Sequence, residues 1–133
     1  MKKALSLYAA ALWWGSLTAV GAWVVPLLFH HLDTPALAGQ MAARLFEFQT
    51  HVSAVCALVL LGSVRASGSF AQLGWVLGGL LLALVQQWGV APRIEAREHM
   101  ALWHSVGSAM LVLQWVCAGV NLWRQAKTQS VSG

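Results

Sequence analysis

Four stretches of about 20 apolar residues, separated only by short polar turns, restrict this chain to one class of fold, because a helix of that length matches the hydrocarbon thickness of a bilayer. Hydrophobic residues make up 59% of the 133 positions and charged residues 9%. A soluble domain carries about 25% charged side chains to solvate its surface, so most of this surface must face lipid. The expectation is an all-α, integral membrane, up-down four-helix bundle over residues 1–133, with spans near 5–28, 45–64, 73–91 and 100–123. Four such spans leave room only for turns and tails, and the lipid bilayer is the first partner implied.

The remaining composition excludes several functions. The net charge of +4 does not gather on one basic face; basic residues stand singly or in pairs at the ends of apolar runs, so nucleic acid is not indicated. Cys56 and Cys117 lie inside apolar runs and read as small buried hydrophobes, not as a disulfide framework or a zinc site. No nucleophile elbow, His-Glu-x-x-His or phosphate-binding glycine loop occurs, which argues against a hydrolase. Lys2-Lys3 followed by an apolar run resembles a secretory signal, yet the run continues from Ala4 to Phe29, past an h-region of about 7 to 15 residues, and an uncleaved first span is expected.

The connections are also legible. Asp33 or Thr34 caps a second helix that begins at Pro35, with an amphipathic first part over Ala36 to Arg44. Ala66-Ser67-Gly68-Ser69 reads as a flexible turn, Pro92 ends the third span, and the Ser/Gln/Gly-rich tail after Lys127 reads as mobile. Gly15, with Ala11 and Ala19, in the first span and Gly74, Gly78 and Gly79 in the third are candidate helix-packing positions, with a homo-oligomer or another membrane partner as the alternative use of the third-span glycines.

Sorting the basic residues sets an orientation. With both termini inside, Lys2, Lys3, Arg65, Arg124 and Lys127 are cytoplasmic and Arg44, Arg93 and Arg97 are outside, which is the direction of the positive-inside rule. An N-in, C-in protein of the cytoplasmic (inner) membrane is expected. Trp75 and Trp123 then fall at the inner interface and Trp88 and Trp103 at the outer one, whereas Trp13, Trp14 and Trp115 lie deeper than an aromatic belt explains.

Polar groups at membrane depth are the candidates for function. Counting 1.5 Å per residue from Arg65, His51 lies about 21 Å up and Glu47 about 27 Å; counted from Leu73, Gln87 is level with His51, and Arg93 with Glu47. At 100° per residue Arg44, Glu47, His51, Val55, Leu58 and Gly62 share one helix face, which is expected to point into the bundle. Gln87 is then placed to bond His51 and Arg93 to pair with Glu47. On the fourth span Arg97, Ala101, His104, Ser108, Leu111 and Trp115 form a second stripe, although His104 sits about 9 Å higher than His51. Glu47, His51, Gln87, Arg93 and His104 are the expected pocket residues, with His51 and His104 as candidate ligands of a transition metal or of haem iron, or else as structural histidines or members of a proton or substrate relay.

Leu45-Phe46-x-Phe48-x-x-His51-x-Ser53, followed by Cys56-Ala57, resembles the second span of the transmembrane protein 205 family and its bacterial relatives, a domain of unknown function. Trp14-Gly15, Leu28-Phe29, Pro92-Arg93 and His104 with Ser108 fall in the order that family shows. The resemblance implies a four-helix membrane protein with Glu47, His51, Arg93 and His104 at the positions of interest. Eukaryotic members are linked to resistance to platinum drugs, and bacterial members look similar to copper-resistance and small haem-binding membrane proteins. The loop before the fourth span is shorter here than in eukaryotic members, so any function of that loop does not transfer.

Three functions follow as expectations. The first is handling or transport of a metal ion or small molecule at an outward-facing polar pocket. The second is a haem-binding membrane redox protein with histidine axial ligands. The third is a structural or accessory subunit that docks through the small-residue face of the third span.

Overall fold

The computed structural model describes residues 1–67 and 69–131 and consists of four long helices. These are α1 (Lys2–His31), α2 (Pro35–Ser67), α3 (Phe70–Glu95) and α4 (Met100–Val131). Each contains a window apolar enough to cross a membrane, so the chain is a multi-pass membrane protein with an all-α bundle fold. Gly68, inside the expected α2–α3 turn, lies outside the described residues, as do the last two residues.

Each helix packs on its two neighbours in the ring α1–α2–α3–α4. The interior is built by the same spacing in every helix: Ala10, Trp13 and Leu17; Ala57, Leu60 and Val64; Val76, Gly79 and Ala83; Gln114, Cys117 and Asn121. Steps of three and four residues keep one seam facing inward along a supercoiled helix, and small residues on that seam let backbones approach where lipid offers no hydrophobic drive. Trp13, fully buried, fills the centre.

The helix ends correct several boundaries. Thr34 caps α2, its Oγ1 accepting from the Leu37 N–H at 3.2 Å, with Pro35 in the first helical position as expected. The stretch from Ala36 to Arg44 is the first part of this same helix, as expected; Ala38 and Ala42 are buried there, and this part of α2 packs on the last turns of α1. Ser69 caps α3 through the Gln72 N–H. Pro92 does not end α3, which continues to Glu95. Nor does α4 stop near Trp123: it runs to Val131, and Gln129 Nε2 donates to the Lys3 carbonyl at 2.8 Å, so the segment expected to be mobile is helical and tied to the start of α1.

The two helices with a proline in their interior, α1 and α3, widen just before it. In α1 the turn Ala19–Val24 is π-helical and the Val25 N–H reaches back to the Val20 carbonyl; in α3 Gln86–Val90 is π-helical and the Ala91 N–H reaches Gln86. A proline removes one N–H donor and crowds the carbonyl four residues earlier, and a bond spanning five residues makes room for the ring. These wide turns sit toward the bundle end that carries the α1–α2 and α3–α4 connections, called here the distal end; the other, with the two termini, is the terminal end.

Candidate functional site

The five expected pocket residues do not converge. On α2 the inward stripe is Gln49, Ser53, Cys56, Ala57, Leu60 and Val64, all buried, whereas the face expected to be internal points away: His51 is exposed, as are Arg44 and Gly62, and Val55 and Leu58 are 62% and 63% exposed. The face assignment made from polarity is therefore wrong. Packing follows side-chain size: the inward stripe holds serine, cysteine and alanine, which the neighbouring helices can approach, and the polar Gln49 and Ser53 ride on it.

Glu47 accepts from Arg44 Nη1 at 3.5 Å within its own helix, and Arg93 bonds the Gly89 carbonyl one turn back while its guanidinium lies 4.8 Å from the centre of the Trp103 ring. Arg93 and Glu47 are thus not partners. Gln87 is half-buried in the wide turn of α3, and no hydrogen bond joins it to His51 among the described residues. His104 and Ser108 are exposed on α4, but the terminal-end part of that stripe does pack: Leu111 lies against the core, and Trp115 Nε1 donates to Thr18 Oγ1 at 2.8 Å. Trp14 and Trp115 meet with ring centres 5.6 Å apart, so the three deep tryptophans are packing elements, Trp13 in the centre and the other two along the α1–α4 seam.

His51 and His104 do not face one another. Ser53 donates to Gln114 Oε1 on α4 at 2.8 Å, and His51, two residues away, points about 160° from Ser53 around the helix and hence away from α4. Among the described residues no group of three or more His, Cys, Asp or Glu side chains is arranged to hold a metal ion. A shallow groove of ≈ 450 Å³ lies along the distal end of α1, lined by Val24, Leu27, Leu28, His31 and Leu32, and involves none of the five.

Of the packing glycines, Gly79 alone meets the bundle centre, with Trp13 and Cys117 against it. Gly78 reaches only Cys117 Sγ, at 4.0 Å, and Gly15 and Gly74 have open space where a Cβ would stand.

The interior holds a polar chain that a search for ionisable residues overlooks. Gln49 Nε2 donates to Ser16 Oγ at 2.9 Å and to Ser53 Oγ at 3.4 Å. Ser16 passes its own proton to the Trp13 carbonyl and Ser53 to Gln114. Both amide protons and both hydroxyls are used in one consistent direction, which ties α1, α2 and α4 together about 15 to 24 Å along the span from Arg65 and Arg124. The signal was present in sequence as Gln49-x-x-x-Ser53 at helical spacing, in register with Ala57 and Leu60. Trp13 Nε1 and Asn121 Oδ1 are buried in the same interior without a hydrogen-bond partner among the described residues, whereas this chain uses its hydroxyl and Gln49 amide protons to hold the helices to each other.

His51 is the opposite case. Its Nδ1 is 2.8 Å from the Glu47 carbonyl, and because a carbonyl only accepts, the neutral ring carries its proton on Nδ1 and a free lone pair on Nε2. The ring is exposed on the outside of the bundle at a depth of about 21 Å from Arg65, within a hydrocarbon core about 30 Å thick. It presents a fixed, unused acceptor where the bilayer offers no donor.

A family model described as Domain of unknown function (DUF4149) matches residues 8–102. No curated protein and no solved structure matches the chain.

Proposed function

The chain belongs to the DUF4149 family, and from the geometry of His51 we propose that it is an accessory membrane subunit, a four-helix bundle that contributes one imidazole to a binding site completed by another molecule. The observation that carries this reading is an exposed His51 at membrane depth whose Nδ1 is already engaged and whose Nε2 is free. Ionisable residues at membrane depth face a bundle interior or a cavity; one on the outside of its own bundle calls for a neighbour. Transport through a pocket formed by Glu47, His51, Gln87, Arg93 and His104 would need those side chains to converge, and three of them, Glu47, His51 and Arg93, are engaged on their own helices instead.

A haem or transition-metal role is the second reading, favoured by the same tautomer: a backbone bond at Nδ1 orients the ring and leaves Nε2 as the ligand atom. The family likeness to transmembrane protein 205, with its link to metal compounds, supports the same residue. The cytoplasmic membrane with both termini inside is the proposed setting, since five basic residues lie toward the terminal end and three toward the distal end.

The test compares the native protein with His51→Ala, each extracted from membranes in mild detergent. The native protein is expected to run larger than a monomer, and His51→Ala to lose that association while keeping its helical circular dichroism. A Soret band or a stoichiometric metal lost in His51→Ala assigns the imidazole to a cofactor. Two monomeric, colourless, metal-free samples would overturn the proposal.

A further inference from the structure

We infer that the neighbour that covers His51 is a second copy of this chain, packed α2 against α2. Arg44, Phe48, His51, Val55, Leu58, Gly62 and Arg65 are all exposed, and they recur at alternating steps of four and three residues over the length of the span. That spacing is the seam of a left-handed helix pair, and it matches the repeat with which the four helices of the bundle pack inward. Gly62, with no atom within 4 Å of where a Cβ would stand, lets two such helices approach closely toward the terminal end.

Charge complementarity selects a second copy. Arg44 is 83% exposed and Glu47 47% exposed, three residues apart at the distal end of the same face. About a twofold axis along the membrane normal the two α2 helices run parallel, and each residue lies level with its own counterpart. Arg44 of each copy is then within side-chain reach of Glu47 of the other, so the seam is self-complementary, as an isologous interface requires. In the knobs-into-holes arrangement of parallel helices, Phe48, 69% exposed, enters a hole formed by Arg44, Glu47, Phe48 and His51 of the second copy. The other helices offer apolar faces without a charged or histidine side chain at comparable depth; His104, about 30 Å from Arg124, is at the rim. This inference rests on the accessory-subunit reading and names its partner.

The experiment uses charge variants carrying two different affinity tags. Arg44→Glu gives a face with two acids, and Glu47→Arg gives one with two bases. Each expressed alone is expected to lose at least tenfold of the dimer recovered for the native chain. Co-expressed, the two are expected to recover a mixed dimer to near the native yield, which the intrahelical Arg44–Glu47 contact cannot produce. Oxidative cross-linking in native membranes gives an independent readout, in a background with Cys56 and Cys117 replaced by alanine. Leu58→Cys is expected to form a covalent dimer, and Leu81→Cys, as exposed but on α3, is not. Undiminished dimers from both single variants, a mixture no better than either alone, or equal cross-linking at both positions would overturn the inference. A native chain that is monomeric by mass yet co-purifies with a different protein in a His51-dependent way would overturn the second copy and leave the accessory reading standing; a chain with no association at all would remove both.

Discussion

Trp13 and Gly79 meet across the diagonal of the bundle, with the indole so close to the Gly79 backbone that a Cβ there would stand 2.8 Å from Cη2 and 2.9 Å from Cζ2, and 3.1 Å from the Cβ of Cys117. A methyl group has nowhere to go, because the ring is fully buried and cannot swing aside. Gly79→Ala is therefore expected to destabilise the bundle by about 1–3 kcal/mol, the usual cost of overpacking, despite the better helix propensity of alanine. Gly74→Ala, where no atom lies within 4 Å, should be neutral or slightly stabilising. Unfolding by sodium dodecyl sulfate in mixed micelles measures both. Equal effects would show that Gly79 is not a contact point, and partial rescue of Gly79→Ala by Trp13→Phe would identify the indole as the obstacle.

The link between Ser53 and Gln114 joins α2 to α4 across the other diagonal. Hydrogen bonds between membrane helices contribute about 0.6 kcal/mol on average and up to about 1.7 kcal/mol. This one belongs to the upper part of that range, since Ser53 is fully buried and also accepts from Gln49. A double-mutant cycle on Ser53→Ala and Gln114→Leu is expected to show a coupling energy of about 1 kcal/mol, with either single change costing more than half of the pair. Additive losses would mean that the two side chains do not interact.

Leu58 and Leu60 are two positions apart on α2 and have opposite surroundings: Leu58 is 63% exposed to the lipid side and Leu60 fully buried. Leu60→Ala is expected to cost about 2 kcal/mol or more through the cavity it leaves, and Leu58→Ala less than about 0.5 kcal/mol in the isolated bundle. Reversed costs in the same unfolding assay would restore the opposite helix face to the interior.

That pair also shows how far sequence alone carries. The four spans and the Thr34–Pro35 helix start were legible because apolar length and capping chemistry are local. Which face of α2 turns inward was not. In a soluble helix a polar stripe marks the outside, and in a membrane helix it is expected to mark the inside; both rules fail where His51 and Gln49, nearly opposite on one helix, are each polar. What decides is the seam of small residues, Ser53, Cys56 and Ala57 against Ala10, Gly79 and Ala118, and that is a property of four helices together. The helical continuation through Pro92 was hidden for a similar reason: the wide turn Gln86–Val90 that accommodates the ring has no composition of its own.

Thr18 and Trp115 give the least symmetric prediction. Trp115 Nε1 donates to Thr18 Oγ1, and Thr18 sends its own proton to the Trp14 carbonyl at 2.8 Å. The contact lies about 14 Å along α4 from Arg124, near the middle of the bilayer, where no water replaces a lost partner. Trp115→Phe removes a donor and leaves the Thr18 hydroxyl still bonded to its carbonyl, so its cost should stay below about 1 kcal/mol. Thr18→Val keeps the shape and strands an indole N–H in hydrocarbon, which should cost about 1–3 kcal/mol. The larger loss is thus expected from the smaller change. Unfolding of the two variants side by side checks the order; if Trp115→Phe proves the more damaging, ring packing against Trp14 outweighs the hydrogen bond at this seam.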